Sequence, residues 1–320
     1  MAGAAPTPGA PDLLARVEAT GLLSPPAPVV ALLSGGRDSV CMLDLAVRAR
    51  GAGAVIALHV DYGLRPGSHD DADFCASLCR DLGVEVAFER PVRPEGPGNL
   101  QAWARDVRYA AAARLAEARD ATIVTGHTAD DQVETILYRL ASSPSRRALL
   151  GMKERDGRLA RPLLGTTRAE VTAYDEQRGL AWREDPTNGE EGYARNRVRH
   201  GLLPELEAIH PAAVANVLRT AALLRDESEV LDGLVAGELD GSLGAARGRI
   251  VHARFAELPP ALRRLVLQRL ADAAAGRPVP GAARFADQVA GLRRGGSRLD
   301  LGGGVRAVLE GGILRAERDA

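Results

Sequence analysis

Short apolar runs and longer amphipathic stretches alternate through the first half of the chain. Val29–Leu33, Ala54–Val60, Val84–Phe88 and Ala121–Thr125 are apolar runs of strand length. Between them, apolar positions recur at helical spacing over Asp38–Arg50, Ser68–Leu82, Asn99–Arg119 and Thr128–Leu140. This repeated βα pattern predicts an α/β fold, a parallel sheet with helices on both faces and ligands gathered at the carboxyl ends of its strands. From Leu206 the texture changes to Ala/Leu/Arg stretches of helical period at Pro211–Val235, Pro259–Ala275 and Ala283–Leu292. Two alternating runs on either side of Gly311-Gly312 then read as a two-residue β-hairpin. The expected layout is a flexible tail and lead-in over 1–27, a parallel-sheet domain over 28–205, and a smaller, mainly helical domain over 206–320 that ends in the hairpin.

The polar residues obey the strand-end rule. Ser34-Gly35-Gly36-Arg37-Asp38-Ser39 follows the first apolar run directly and opens the first helix. Two glycines let the backbone approach a ligand, and the helix N-terminus supplies free N–H groups and the positive end of its dipole. That is a pyrophosphate site, and it lacks the lysine of the longer Gly-x4-Gly-Lys-Ser/Thr loop. His59-Val-Asp61 ends the second run, and Thr125-Gly-His127 the fourth. Loops at Pro91–Gly98 and Ser142–Arg161 are candidate rims or lids.

Composition narrows the partners. The chain of 320 residues is 46% hydrophobic and 26% charged with a formal net charge of −1, so nucleic-acid binding has to rest on local patches. Three cysteines, Cys41, Cys75 and Cys79, are too few for a disulfide scaffold and fit a reducing compartment. Cys75 and Cys79, four apart on a helix, read as packing rather than as half of a metal site. No apolar run approaches membrane-spanning length, and the N-terminus lacks the pattern of a signal peptide. A cytoplasmic protein with no membrane partner is expected.

Three further constellations carry candidate chemistry. In Gly126-His127-Thr-Ala-Asp130-Asp131-Gln-Val-Glu134, helical spacing crowds three carboxylates toward one end of a helix, an arrangement that calls for a cation among them. Thr128 and Asp131 also have capping-box spacing, which accounts for Asp131 structurally but leaves Glu134 unexplained. Arg105 and Arg108 stand on neighbouring turns of one helix, and either suits developing phosphate charge. Arg195-Asn196-Arg197-Val-Arg199-His200, at the expected domain joint after Asp185-Pro-Thr-Asn188, is placed to hold a phosphodiester; a chance cluster in an arginine-rich chain is the competing reading.

Taken in order, these segments, together with Tyr62-Gly-Leu-Arg65, Asn99-Leu-Gln101 and Arg161-Pro-Leu-Leu164, resemble the tRNA(Ile)-lysidine synthases. These are PP-loop ATP pyrophosphatases that attach lysine to the wobble cytidine of CAU-anticodon tRNA(Ile). The resemblance implies ATP as substrate with Mg2+, and free L-lysine and that tRNA as partners. ATP contacts would come from Ser34, Gly35, Gly36, Arg37, Asp38, Ser39, His59 and Asp61, with Asp38 and one of Asp130 or Asp131, Asp130 being the one taken, at the metal. Catalytic roles would fall to Asp38, Arg105, Arg108, His127, Asp130, Asp131 and Glu134, of which Asp131 and Glu134 would take the lysine ammonium. The tRNA would meet Arg195, Asn196, Arg197, Arg199 and His200. The sequence departs from the family where Thr128 and Tyr62 replace histidines and Ala141–Ala148 replaces a glycine-containing stretch. A tRNA cytidine thiolase and a non-catalytic nucleotide- or tRNA-binding protein are the alternatives, and a homodimer is left open.

Overall fold

The computed structural model describes residues 12–24, 26–64, 67–94, 99–142, 146–184, 194–241, 248–293 and 296–319. Expectations placed on the 1–11 tail, Arg65, Asp185–Asn188 and the Arg195 side chain lie outside the described residues. The chain forms two compact units, Met1–Ala221 and Ala222–Ala320.

In the first unit the order is α1 (Leu13–Ala19), β1 (Val29–Leu32), α2 (Arg37–Arg50), β2 (Val55–Val60), α3 (Ser68–Leu82), β3 (Glu85–Glu89), α4 (Leu100–Ala118), β4 (Thr122–Val124) and α5 (Ala129–Ser142). There follow α6 (Arg146–Leu149), β5 (Arg155–Asp156), β6 (Leu159–Ala160), α7 (Arg168–Arg178), α8 (Ala194–Arg197), a π-helical turn over Val198–Leu202, and α9 (Leu203–Ile209). The strands lie in the order β3-β2-β1-β4-β6-β5. β1 pairs in parallel with β2 on one side and with β4 on the other. The chain therefore reverses its winding between β1 and β4, which is where a doubly wound sheet opens a ligand crevice.

Alternation along β1 builds both cores. Val29, Ala31 and Leu33 pack with Val40, Met42, Leu45 and Cys75 on one face, whereas Val30 and Leu32 meet Ala111, Ala112 and Ala116 of α4 on the other. Every residue of β1 and β2 is buried, as expected of strands covered on both sides. The Ser142–Arg161 stretch is more than the open loop expected from its polarity: it carries α6 and a β5–β6 hairpin that widens the sheet. Two-residue strands have too few positions to show an alternating pattern.

Helix α10 (Ala213–Gly241) spans the division between units. The second unit continues with β7 (Arg249–Val251), α11 (His252–Glu257), α12 (Pro260–Ala275), α13 (Ala286–Ala290), β8 (Ser297–Gly302), β9 (Val305–Glu310) and β10 (Ile313–Arg318). The expected hairpin is β9–β10, turning at Gly311-Gly312, which both have positive φ as a type I′ turn requires. It is the centre of a four-stranded antiparallel sheet, β7-β10-β9-β8, rather than an isolated closing element. Helices α11–α13 cover the sheet around Phe255, Leu267, Leu270, Leu301 and Leu314. The division at Ala221/Ala222 comes later than the change of texture at Leu206, because composition shifts at α9 before packing does.

Helix α7 packs on α2 through two buried carboxyls. Asp44 accepts hydrogen bonds from the Tyr174 hydroxyl at 2.5 Å and from Arg178 at 3.2 Å. Asp175 is fully buried, with the weakly donating Cys41 thiol beside it and no stronger donor on either carboxyl oxygen. Burial, reinforced by the charges of Asp38 and Asp44, pushes the Asp175 pKa up to about 7 from 3.8. The folded chain thus holds a proton that the unfolded chain releases, and stability falls as pH rises from about 4 to about 7. Asp175→Asn should therefore gain melting temperature over the parent as pH goes from about 5 to about 8, by at least about 2 °C in thermal scans. A difference that is constant with pH would remove this assignment.

Candidate active site

The loop between β1 and α2 is fixed from three directions. Gly35 has a φ of +86°, and a Cβ there would lie 3.3 Å from the Cys75 sulfur. Its carbonyl accepts the Arg183 N–H at 2.9 Å. Ser39 Oγ donates to the Gly36 carbonyl at 2.7 Å, accepts from the Ser34 N–H at 3.2 Å, and lies 3.1 Å from Ser34 Oγ. No side chain caps α2 at Gly36, so the amides of its first turn face outward as an anion cradle. Gly126, at the end of β4, fixes the opposite wall: a Cβ there would fall 2.3 Å from the Asp38 carbonyl oxygen and 3.0 Å from the Ser39 nitrogen.

Between these walls is a cavity of about 200 Å3. Leu32, Leu33, Leu58, Val60 and Tyr62 form its apolar side, and Ser34, Asp38, Ser39, Thr125 and His127 its polar end. Trp103 backs Tyr62 edge to face at 5.9 Å. Arg108 and Tyr109 reach in from α4, and the buried Arg108 Nε has no hydrogen-bond partner. Arg105 is exposed and its guanidinium lies over the Tyr109 ring at 4.7 Å. Geometry thus separates two arginines that spacing had left equivalent. His127 Nδ1 stands 2.6 Å from Thr125 Oγ1.

His59 and Asp61, expected at the nucleotide, stand away from the cavity lining. His59 is buried and donates from Nδ1 to the Leu33 carbonyl at 2.9 Å. Asp61 accepts the Gly63 N–H at 3.1 Å and faces Arg90 at 3.2 Å. Burial alone would raise the Asp61 pKa, but its hydrogen bonds from Gly63 and Ser68 and the nearby Arg90 and His69 hold it below the usual value. His59 thus ties β2 to the end of β1, and Asp61 holds the turn after β2.

The acidic residues form a second focus beside the loop. Thr128 and Asp131 make the reciprocal contacts of a capping box: the Thr128 N–H donates to Asp131 Oδ2 at 2.9 Å, and the Asp131 N–H to Thr128 Oγ1 at 3.4 Å. Asp130 instead accepts the Arg168 N–H at 2.7 Å, which ties α5 to the start of α7. One carboxyl oxygen of Asp130 is engaged there, which leaves the other for the metal role expected of it beside Asp38. The neighbour that raises the Asp38 pKa, after burial itself, is Asp131, with Arg168 and Arg37 opposing. Asp38 sits half-buried at the cavity edge and fits an Mg2+ carried on nucleotide phosphates, which asks for one or two carboxylates.

Glu134 has no solvent exposure, and Arg199 meets it side on, with Nε to Oε1 at 2.6 Å and Nη2 to Oε2 at 3.1 Å. The same Nη2 reaches Asp131 Oδ1 at 3.2 Å. Arg168 adds contacts of 3.4 Å to Asp131, 3.5 Å to Glu134 and 3.8 Å to Asp38. Burial would depress the Arg199 pKa, but Glu134 and Asp131 outweigh it and the guanidinium is held more firmly charged. Arg199, expected to face tRNA, is turned inward, while Arg197 and His200 are exposed and Asn196 is half-buried. Arg168 was not anticipated, although Thr167-Arg-Ala-Glu170 ahead of an apolar position is a capping-box signature, and both of its reciprocal bonds are formed.

A phosphate cradle facing an apolar wall at the switch point of a parallel sheet defines a nucleotide-binding α/β protein, and residues 17–206 match the PP-loop domain family. The chain is 40% identical over 300 residues to the tRNA(Ile)-lysidine synthase of Thermus thermophilus, covering 91% of this chain and 57% of that protein. It is 35% identical over 307 residues to that of Thermobifida fusca, covering 91% and 92%. The chain belongs to the tRNA(Ile)-lysidine synthase family. It spans little more than half the length of the Thermus relative, but nearly all of the Thermobifida one. A U34-tRNA thiolase from Methanococcus maripaludis shares the fold, with a TM-score of 0.57 and 19% identity over 67% of this chain and 78% of its own.

The two glycine positions separate folding from binding. Gly36→Ala has an ordinary φ of −76° and no non-neighbouring atom nearer than 3.5 Å, so its melting temperature should match the parent's while ATP binding weakens at least about tenfold in calorimetry. Gly126→Ala, pressed against the Asp38 backbone, should lose both. Unchanged ATP affinity in Gly36→Ala would take the phosphates away from this loop.

Proposed function

We propose that the chain is an ATP-dependent carbon–nitrogen ligase of the cytoplasm that converts the wobble cytidine of CAU-anticodon tRNA(Ile) to lysidine. The observation that carries this reading is the carboxylate pair Asp131 and Glu134, already holding a nitrogen cation, next to a phosphate loop. The apolar wall of the cavity suits the adenosine, and the α2 amides suit the phosphates. Mg2+ arriving with the nucleotide would neutralise phosphate charge, with Asp38 the carboxylate that reaches it.

In the first step the cytosine C2 oxygen attacks the α-phosphate and pyrophosphate leaves. Arg108, whose Nε is buried and unpartnered at the cavity, meets the charge that develops on the phosphoryl oxygens. In the second step the lysine ε-nitrogen bonds to C2, and AMP departs with the C2 oxygen. The amine starts as an ammonium with a pKa near 10.4 in water, so it must first give up a proton, and Glu134, Asp131 and His127 are the acceptors at hand.

The thiolase alternative needs a reactive sulfur. All three cysteines are buried in the core, and burial pushes the thiols of Cys75 and Cys79 up to about 12 and about 11. They fit packing roles.

Incubation with ATP, lysine and tRNA(Ile), followed by mass analysis of the nucleosides, should show cytidine gaining lysine with loss of water. An unchanged cytidine mass would refute the reaction. Glu134→Gln should retain pyrophosphate release while lysine incorporation falls at least about 100-fold. Arg108→Ala should lower pyrophosphate release by about 100-fold, with Arg105→Ala near the parent. Equal losses in the two arginine variants would undo the separation made by the cavity.

A further inference from the structure

Every oxygen of the acid pair is already engaged. Glu134 Oε1 and Oε2 accept from Arg199 at 2.6 and 3.1 Å, Asp131 Oδ1 accepts from Arg199 at 3.2 Å and from Arg168 at 3.4 Å, and Asp131 Oδ2 serves Thr128. An ammonium brings three donors and no acceptor, so it needs these same oxygens. A carboxylate oxygen can take two donors, as Asp131 Oδ1 does, but Glu134 has no exposure of its own and lies against Arg199, so an ammonium reaches its oxygens only where the guanidinium now stands. We propose that Arg199 is a displaceable stand-in for the substrate amine: it fills the Asp131–Glu134 position when no RNA is bound and is drawn onto an RNA phosphodiester when RNA docks, so that lysine enters after RNA.

This inference rests on the lysine assignment above and adds an order of binding to it. Three features of the chain support it. Arg199 is a quarter exposed along its side chain, so it has a route outward, whereas Glu134 beneath it has none. It belongs to the π-helical turn Val198–Leu202, a wide, weakly bonded helical form that recurs at functional sites. Arg197 and His200, its neighbours in sequence, are exposed and offer cationic or hydrogen-bonding groups on the surface from which an RNA backbone would approach. Arg168 remains on the acids when Arg199 leaves, because its own N–H is bound to Asp130, so the carboxylates do not lose all compensation.

Equilibrium dialysis of radiolabelled L-lysine against the full chain, without ATP and with or without unmodified tRNA(Ile), tests this order. The parent should bind lysine about tenfold more tightly with tRNA than without it. Arg199→Ala and Arg199→Gln should bind lysine without tRNA about as tightly as the parent does with it, and adding tRNA should change little. Arg197→Ala should weaken tRNA binding without opening the lysine position in the absence of RNA. Two variants at Arg199 guard against loss of fold, which retained ATP binding monitors. If Glu134→Gln abolishes lysine binding but the Arg199 variants bind lysine no better than the parent without tRNA, the stand-in role is wrong and the lysine assignment survives. If Glu134→Gln binds lysine like the parent, the lysine assignment itself is wrong, and the stand-in falls with it.

Discussion

A carboxylate removed from water has to be held by a cation, and Glu134 imposes that constraint on everything around it. Its side chain is fully buried, and Asp131 lies one helical turn away, so two negative charges share one desolvated corner. Removing one partner from such a buried pair typically costs about 3–5 kcal/mol. α7 and the 194–202 segment meet the demand by delivering Arg168 and Arg199.

The phosphate cradle is governed by a different physics. There the constraint is contact distance: Gly126 lies so close to the Asp38 and Ser39 backbone that no other residue fits, and this locks the ends of β1 and β4 together at the switch point. The cradle is consequently held by backbone atoms and short-range bonds among Ser34, Gly36 and Ser39. The acid pair is held by long side chains on helices that begin elsewhere. A rigid phosphate site and an exchangeable cation site thus lie side by side, joined through Asp38, which faces both.

How far the sequence discloses this depends on the range of the interaction. α3 spans Ser68–Leu82 as its apolar spacing predicts, and the Gly-rich turn after β1 announces itself, because both are local. The Thr128–Asp131 capping box was legible for the same reason. The partners of Asp130 and Glu134 were not, since Arg168 and Arg199 are 38 and 65 residues away and only the folded chain selects them from among the arginines. His59 and Asp61 sit at a strand end as the topology requires, but strand-end position does not say which way a side chain turns: His59 turns to the Leu33 carbonyl at the end of β1, and Asp61 to the turn after β2. The two-residue strands β5 and β6 escape pattern reading because two positions cannot display a period.

On the stand-in proposal, reading Arg199 as an RNA contact from sequence and finding it on the acid pair become compatible statements about one side chain at two moments. A guanidinium pairs bidentately with carboxylate and with phosphate through the same fork of donors, so the cost of leaving Glu134 is offset in kind by the phosphodiester it reaches. An ammonium at the same position lacks that fork but provides what a guanidinium cannot, a nitrogen able to lose its proton near neutral pH when desolvated and to become a nucleophile. With lysine as the proposed substrate, the position would distinguish resident from substrate by chemistry as well as by occupancy. An arginine can guard the site without being consumed in it, because it does not deprotonate there.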